Sequence, residues 1–287
     1  MKFYKYFFKG SEKHGLTRFV EVLKKMKKII DVQHLSKSYG NRSNKVSVLN
    51  DLNFSIEEGE FVGIMGPSGA GKTTLMNILS TILLPTMGSV RIDGQNITQM
   101  RDSQLTDFRR ENLGFIFQEF NLIDSLSVED NILLPLTVSK MSYEQMQHRL
   151  KHYASILDIG GILDRYPEEI SVGQRQRTAA ARALITQPKI LFADEPTGSL
   201  DSKSSADFLH YLAEINLHED TTILMVTHDP YTASYCNRVL FIKDGKFFSE
   251  IVRRSSRQAF FEKVIDMQAT IGGGGKTNAD QISLEEF

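Results

Sequence analysis

The sequence predicts an α/β fold built on a mainly parallel sheet with helices on both faces. Three observations carry that expectation. Apolar runs of strand length alternate with helix-length patterns along most of the chain. Gly66-Pro67-Ser68-Gly69-Ala70-Gly71-Lys72-Thr73 fits the phosphate-binding pattern G-x-x-x-x-G-K-[ST]. An apolar strand, Phe61 to Met65, enters that loop, and Thr74 to Ser80 leaves it with Leu75, Ile78 and Leu79 at helical spacing. Glycines let backbone N–H groups turn inward around phosphate oxygens, and a helix N-terminus adds a favourable dipole. Lys72 would reach the β- and γ-phosphates, and the Thr73 hydroxyl would ligate Mg²⁺. The competing reading, a glycine-rich turn with a chance lysine, loses to the strand before and the helix after. The expected ligand is a nucleoside triphosphate held by Gly66, Pro67, Ser68, Gly69, Ala70, Gly71, Lys72, Thr73 and Thr74.

Taken in order, residues 1–28 form a basic leader, with nine Lys/Arg against Glu12 and Glu21. It has no apolar core of signal-peptide length. Leu16, Phe19, Val20, Leu23 and Ile30 would suit one face of a helix on an anionic membrane. A dispensable, disordered leader before a strand starting near Met26 is the preferred alternative. Ile29 to Leu35 reads as that strand, Ser36 to Lys45 as a polar loop holding Tyr39-Gly40, and Leu52 to Ile56 as a second strand. Val90 to Gly94 closes a hairpin with a D-G turn signal. Helical patterns cover Asp102–Arg110, Val128–Leu134 and Tyr143–Leu157, with a short strand at Gly114–Phe117. A helix runs from Ser171 to Ile185 and a strand from Lys189 to Ala193. Leu209, Leu212, Ala213 and Asn216 mark the next helix. Strands follow at Thr222–Val226, Val239–Ile242 and Lys246–Glu250. One main domain is expected over 29–250, with a helical insertion at about 119–172. An extension covers 251–287, and its glycine-rich tail from 272 reads as flexible.

At 287 residues the chain can bury one large core or a core plus a small subdomain. No window offers the ~18 apolar residues of a membrane span, so a membrane role must come through a partner. Cys236 is the single cysteine, which excludes an internal disulfide and fits the cytosol. Setting the leader aside leaves 25 basic and 33 acidic residues. That acidic body argues against nucleic acid as a partner.

Ile190-Leu191-Phe192-Ala193-Asp194-Glu195 narrows the chemistry. An aspartate ending a buried strand can hold Mg²⁺, and the glutamate beside it can activate the attacking water. Together with Tyr39, Gln118, Ser171-Val172-Gly173-Gln174, Ser199-Leu200-Asp201 and His228, these residues resemble the nucleotide-binding subunit of ABC transporters. The resemblance spans roughly residues 27–250 and six motifs in the right order. It implies a phosphate-loop NTPase (RecA-like) core with an antiparallel β subdomain and an inserted α-helical subdomain, the ABC ATPase fold. It implies ATP and Mg²⁺ as cofactors, with Thr73, Gln118 and Asp194 around the metal. Glu195, Gln118 and His228 take catalytic roles, and Tyr39 stacks on adenine. Ser171 to Gln174 would reach the ATP on a second copy's loop, with Asp201 at the dimer seam, so a homodimer is required.

One departure stands out. The family signature L-S-G-G-Q is here Ile170-Ser171-Val172-Gly173-Gln174. Ser171 and Gln174 form S-x-x-Q, a capping box that opens a helix. Val172 is then the first helical residue at ordinary negative φ, where the backbone does not require glycine, and an active site is expected. His148 and His152 sit i, i+4 without a third ligand and read as a solvated helix face. Glu168-Glu169 read as tuning the signature helix terminus. Phe115, Phe117, Phe120 and Leu122 are core residues, or else those at or after Gln118 form a cleft for a permease's coupling helix.

The motif wording is similar to the macrolide-export and lipoprotein-release group. The extension with Arg257, Phe260, Phe261 and Ile265 looks most like the bacitracin-resistance branch. That implies an ATP hydrolase on the cytoplasmic face of the plasma membrane, bound to an integral permease and through it to a sensor histidine kinase. Lipoprotein release, macrolide export and cell division are the alternatives, as is a soluble or regulatory ABC ATPase.

Overall fold

The computed structural model describes residues 27–41 and 44–272. The expected leader up to residue 26 and the tail after Gly272 fall outside the described residues. Lys28 already belongs to the first strand.

Strands β1 (Lys28–Tyr39) and β2 (Val46–Glu57) pair antiparallel, with β4 (Met87–Ile92) and β5 (Gln95–Asn96) completing a four-stranded sheet in the order β2-β1-β4-β5. The Asp93-Gly94 turn joins β4 to β5, as its sequence predicts. The polar loop expected over 36–45 gives up its first four residues, Ser36 to Tyr39, to strand. β1 continues to Tyr39, which pairs with Val46 across the ladder. Polar residues hid this extension because the ladder is irregular there. His34 and Asp51 both take left-handed φ, and side chains replace the lost ladder bonds. Asn53 accepts from the His34 N–H at 2.8 Å, and Ser36 accepts from the Asp51 N–H at 3.0 Å. Such side-chain partners satisfy backbone groups that a bulge leaves unpaired.

The second sheet has six strands in the order β10-β9-β3-β8-β7-β6. They are β3 (Phe61–Met65), β6 (Leu113–Ile116), β7 (Ile190–Asp194), β8 (Thr222–Val226), β9 (Arg238–Lys243) and β10 (Lys246–Val252). All neighbours are parallel except β9 and β10. β3 and β8 are buried at every residue, which is why they read as unbroken apolar runs rather than alternating ones.

Helix α1 (Lys72–Leu79) lies between the two sheets and buries Leu75, Met76, Ile78 and Leu79. Each such side chain contributes ~1.5–3 kcal/mol on burial. Helix α2 (Asp102–Asn112) covers the same core through Leu105 and Phe108. The other face of the sheet packs on α5 (Val172–Leu184), α6 (Ser202–Glu219) and α8 (Arg257–Ile271). Helices α3 (Val128–Leu133) and α4 (Tyr143–Ile156) join that core from the segment between β6 and α5. The short α7 (Pro230–Ala233) follows β8. The parallel core, the antiparallel β subdomain and the helical insertion are those the motifs implied.

Candidate functional site

The strand order places the ends of β3, β8 and β7 side by side. In open α/β sheets ligands bind outside the carboxyl ends of the strands. Here β3 delivers the phosphate loop, β7 delivers Asp194-Glu195, and β8 delivers Thr227-His228.

The loop needs its glycines. A Cβ on Gly66 would stand 2.1 Å from the Ile242 carbonyl oxygen, and one on Gly71 would stand 2.6 Å from Leu49. Gly71 caps α1 at φ 97°, with no side chain closing the helix end. Its free N–H groups face the loop, which is what a phosphate requires. Lys72 Nζ donates to the carbonyl oxygens of Gly66 at 2.8 Å and Pro67 at 3.0 Å. Burial holds the ammonium below the usual lysine range, while Glu195 and Asp194 oppose that shift. Burial raises the Asp194 carboxyl above its ordinary value, repulsion from Glu195 adds to this, and Lys72 opposes it.

Glu195 sits at φ 45°, a left-handed conformation uncommon for a non-glycine residue. Its N–H donates to the Val226 carbonyl at 2.9 Å, and its own carbonyl accepts from Gly198 at 3.0 Å. Strained backbone of this kind clusters where a side chain must be aimed. The carboxylate Oε1 lies 2.8 Å from His228 Nδ1. An ionised carboxylate only accepts, so Nδ1–H is the donor and the imidazole fixes the glutamate's orientation. Gln118 follows β6 and its amide borders Gly198, where a Cβ would approach it to 3.0 Å. The Ser199 hydroxyl donates to the Gln118 carbonyl at 3.3 Å.

The signature forms a separate group. Ser171 caps α5, its hydroxyl accepting from Gln174 N–H at 3.2 Å while Gln174 Oε1 accepts from Ser171 N–H at 2.9 Å. Val172 opens the helix and is exposed. Gly173 lies against Ser204, whose hydroxyl donates to Asp201 at 2.6 Å. Asp201 caps α6, and these bonds, the Ser204 hydroxyl first, keep its carboxyl below the ordinary range. Gly173 and Asp201 therefore meet the same residue, Ser204, within one chain. Tyr39 stands exposed on the antiparallel sheet with the Lys37 ammonium 5.2 Å from its ring centre.

Two positions were not anticipated. Gln176 is fully buried, donates to the Pro196 carbonyl at 2.7 Å and, among the described residues, leaves Oε1 without a partner. Its signal was available: Gln176, Ala179, Ala180 and Ala183 make an inward face at i, i+3, i+4, i+7, with one polar member. Arg182 donates to the Phe120 and Asn121 carbonyls at 2.8 and 2.6 Å. It pins two consecutive left-handed residues just after Gln118. That turn explains a difference from expectation. A cleft of about 470 Å³ opens beside Phe115, Phe117, Pro135 and Val138, so its aromatic wall precedes Gln118 rather than following it.

His152 pairs with Glu219 at 2.5 Å, and Glu169 accepts from Tyr166 N–H at 2.7 Å. Among the described residues no group of three His, Cys, Asp or Glu could hold a metal. The oxygen donors Thr73 and Asp194 suit Mg²⁺, which takes one or two carboxylates and completes its shell with phosphates and water.

A loop lysine with Asp194 and Glu195 beside it, and His228 on Glu195, suit the hydrolysis of a nucleoside triphosphate, and the fold and site define a phosphate-loop NTP hydrolase. The ABC transporter family model matches residues 49–198. Bacitracin export ATP-binding protein BceA of Halalkalibacterium halodurans is 49% identical over 85% of this chain and 97% of its own. ABC transporter ATP-binding protein YxdL of Bacillus subtilis is 46% identical over 90% and 98%. A solved dimeric bacterial ABC transporter cassette, MJ0796, superposes with a TM-score of 0.72 at 37% identity, over 79% of this chain and all of that one. The same cassette in a post-hydrolysis state holds ADP and Pi, with a TM-score of 0.71. The chain belongs to the ABC transporter family and is its ATP-binding, ATP-hydrolysing subunit.

Proposed function

We propose that this subunit powers a permease that protects a bacterium against cell-wall-targeting peptide antibiotics such as bacitracin. The observation that carries this reading is the 49% identity to a bacitracin export ATPase along nearly that protein's whole length. The subunit acts as a homodimer at the cytoplasmic face of the membrane, held there by the permease and linked through it to a sensor histidine kinase. Two supports for dimerisation are the dimeric state of MJ0796 and a signature tip that, among the described residues, makes no hydrogen bond to its own phosphate loop.

In this reading Gly66 to Thr74 hold the triphosphate, and Lys72 exchanges its carbonyl partners for phosphate oxygens. Mg²⁺, carried by Thr73, Gln118 and Asp194, would supply positive charge to the transferring phosphoryl group. Glu195, oriented by His228, accepts the proton of the attacking water. Ser171, Val172, Gly173 and Gln174 close over the nucleotide held by the partner copy, with Asp201 at the seam. Tyr39 stacks on adenine. The cleft beside Phe117 receives an apolar helix of the permease, which is how opening and closing of the dimer reaches the membrane.

The test is genetic. Deleting the gene should lower the bacitracin concentration that stops growth, and wild type but not Glu195→Gln should restore it. Macrolide export protein MacB of Aggregatibacter actinomycetemcomitans is 41% identical over 80% of this chain, although over only 36% of its own length. Unchanged bacitracin tolerance with lost macrolide tolerance would favour that second reading.

A further inference from the structure

Helix α8 buries Phe260, Val264 and Ile271 against the core under the parallel sheet. These positions are four and seven apart and form one helix face. At the start of α8 the Arg257 guanidinium lies 5.1 and 4.5 Å from the ring centres of Tyr231 and Tyr235. It also donates to the Ser234 hydroxyl at 3.3 Å. That end is thereby locked onto α7, which begins two residues after His228. At the far end Gln268 Nε2 donates to the His228 carbonyl oxygen at 3.1 Å.

The residues flanking His228 are held by other elements. Thr227 N–H donates to the Ile64 carbonyl at 3.2 Å. Asp229 caps α7 through its carboxylate and donates its N–H to the Thr227 hydroxyl at 3.1 Å. The carbonyl of His228 is thus where α8 takes hold of the turn. The imidazole of the same residue meets Glu195 at 2.8 Å. A continuous path runs from the C-terminal helix to the proposed base.

We propose that α8 is a brace for hydrolysis, with Gln268 a positioning residue that fixes the His228 main chain and, through the imidazole, the Glu195 carboxylate. This rests on the roles assigned to His228 and Glu195 above. Gln268 acts on the geometry of the chemical step and leaves ground-state binding alone. Its loss therefore lowers kcat and spares KM. Small misplacements of a reacting group are costly in rate even when they begin far from the chemistry.

The test compares the full chain with Gln268→Met and Gln268→Lys. Both replacements are unbranched, good helix formers, and only lysine keeps a donor for the carbonyl. Gln268→Met should lower kcat for MgATP about fivefold, the scale of one hydrogen bond, at unchanged KM. Gln268→Lys should stay near wild type, with melting temperatures of all three within about 3 °C. Wild-type kcat in Gln268→Met overturns the proposal, as does an equal fall in both variants. His228→Ala separates the two levels. Intact turnover there would defeat the assigned role of His228, whereas lost turnover in His228→Ala beside normal turnover in Gln268→Met would defeat the brace alone.

Discussion

Two helix N-termini of this protein, those of α1 and α5, are built differently. Helix α1 starts at a left-handed glycine with no side chain over its free N–H groups. Helix α5 starts at Ser171, with Ser171 and Gln174 closing a reciprocal capping box. The first end is an open anion site, and Lys72 waits beside it on backbone carbonyls. The second has satisfied the Ser171 and Gln174 N–H groups with its own side chains. Among the described residues no hydrogen bond joins that tip to the phosphate loop. Under the proposed function that difference has a reason: the cradle is complete in one chain, while the signature turns its cap toward a phosphate held by another.

The sharpest test of that contrast is Glu195→Gln. Turnover should fall by ~10²–10⁴, the worth of a general base, while MgATP still binds. Trapped nucleotide should then hold two copies together in analytical ultracentrifugation. A monomer at saturating MgATP, even with the permease present, would break the comparison. Lys72→Ala should weaken MgATP binding by ~10–100-fold, the worth of a charge-assisted hydrogen bond, as calorimetry can measure.

Ser171 separates capping from phosphate contact. Ser171→Ala should cost ~1 kcal/mol of stability in urea unfolding and also slow hydrolysis. Ser171→Asp keeps the cap and the stability but sets a carboxylate against the partner's phosphate, so its turnover should fall further than that of the alanine variant. Val172→Gly should stay within about tenfold of wild-type rate, because helix position one does not demand glycine. A larger gain would show that the valine impairs the site.

The smallest effect lies away from both tips and serves as a control. Asp93 bonds Lys189 at 2.5 Å and also pairs with Lys27. These bonds, Lys189 first, hold its carboxyl below the ordinary value. A depressed carboxylate stabilises the fold above the unfolded pKa of about 4, and that contribution is lost as pH falls through the lower folded value. Asp93→Asn should lower stability by ~1 kcal/mol or less at neutral pH. The gap should close in acid, with ATP turnover unchanged.

Local chemistry was legible wherever a residue's job is set by its near neighbours in the chain. The glycines of Gly66–Gly71, the strand-end pair Asp194-Glu195 and the S-x-x-Q of Ser171–Gln174 all carry their geometry in a few adjacent positions. The same holds for Val172, whose place in the helix follows from the cap before it. The polar stretch to Tyr39 was misjudged because its strand depends on the partner β2, not on its own pattern. The sense of Phe120-Asn121 was hidden because Arg182, some sixty residues onward, holds both carbonyls.

By itself, then, the sequence determined the parallel α/β core, the nucleotide loop and the capped signature helix, because turn, strand and cap energetics act over three or four residues. Tertiary structure alone decided that His228 meets Glu195, that Glu195 bends left-handed, that Gln176 bonds the Pro196 carbonyl and that Gln268 reaches the His228 carbonyl. Those contacts join residues twenty to forty positions apart. The sheet order, with β3, β8 and β7 as neighbours, and the packing of α5 and α8 on that sheet bring them within hydrogen-bonding distance.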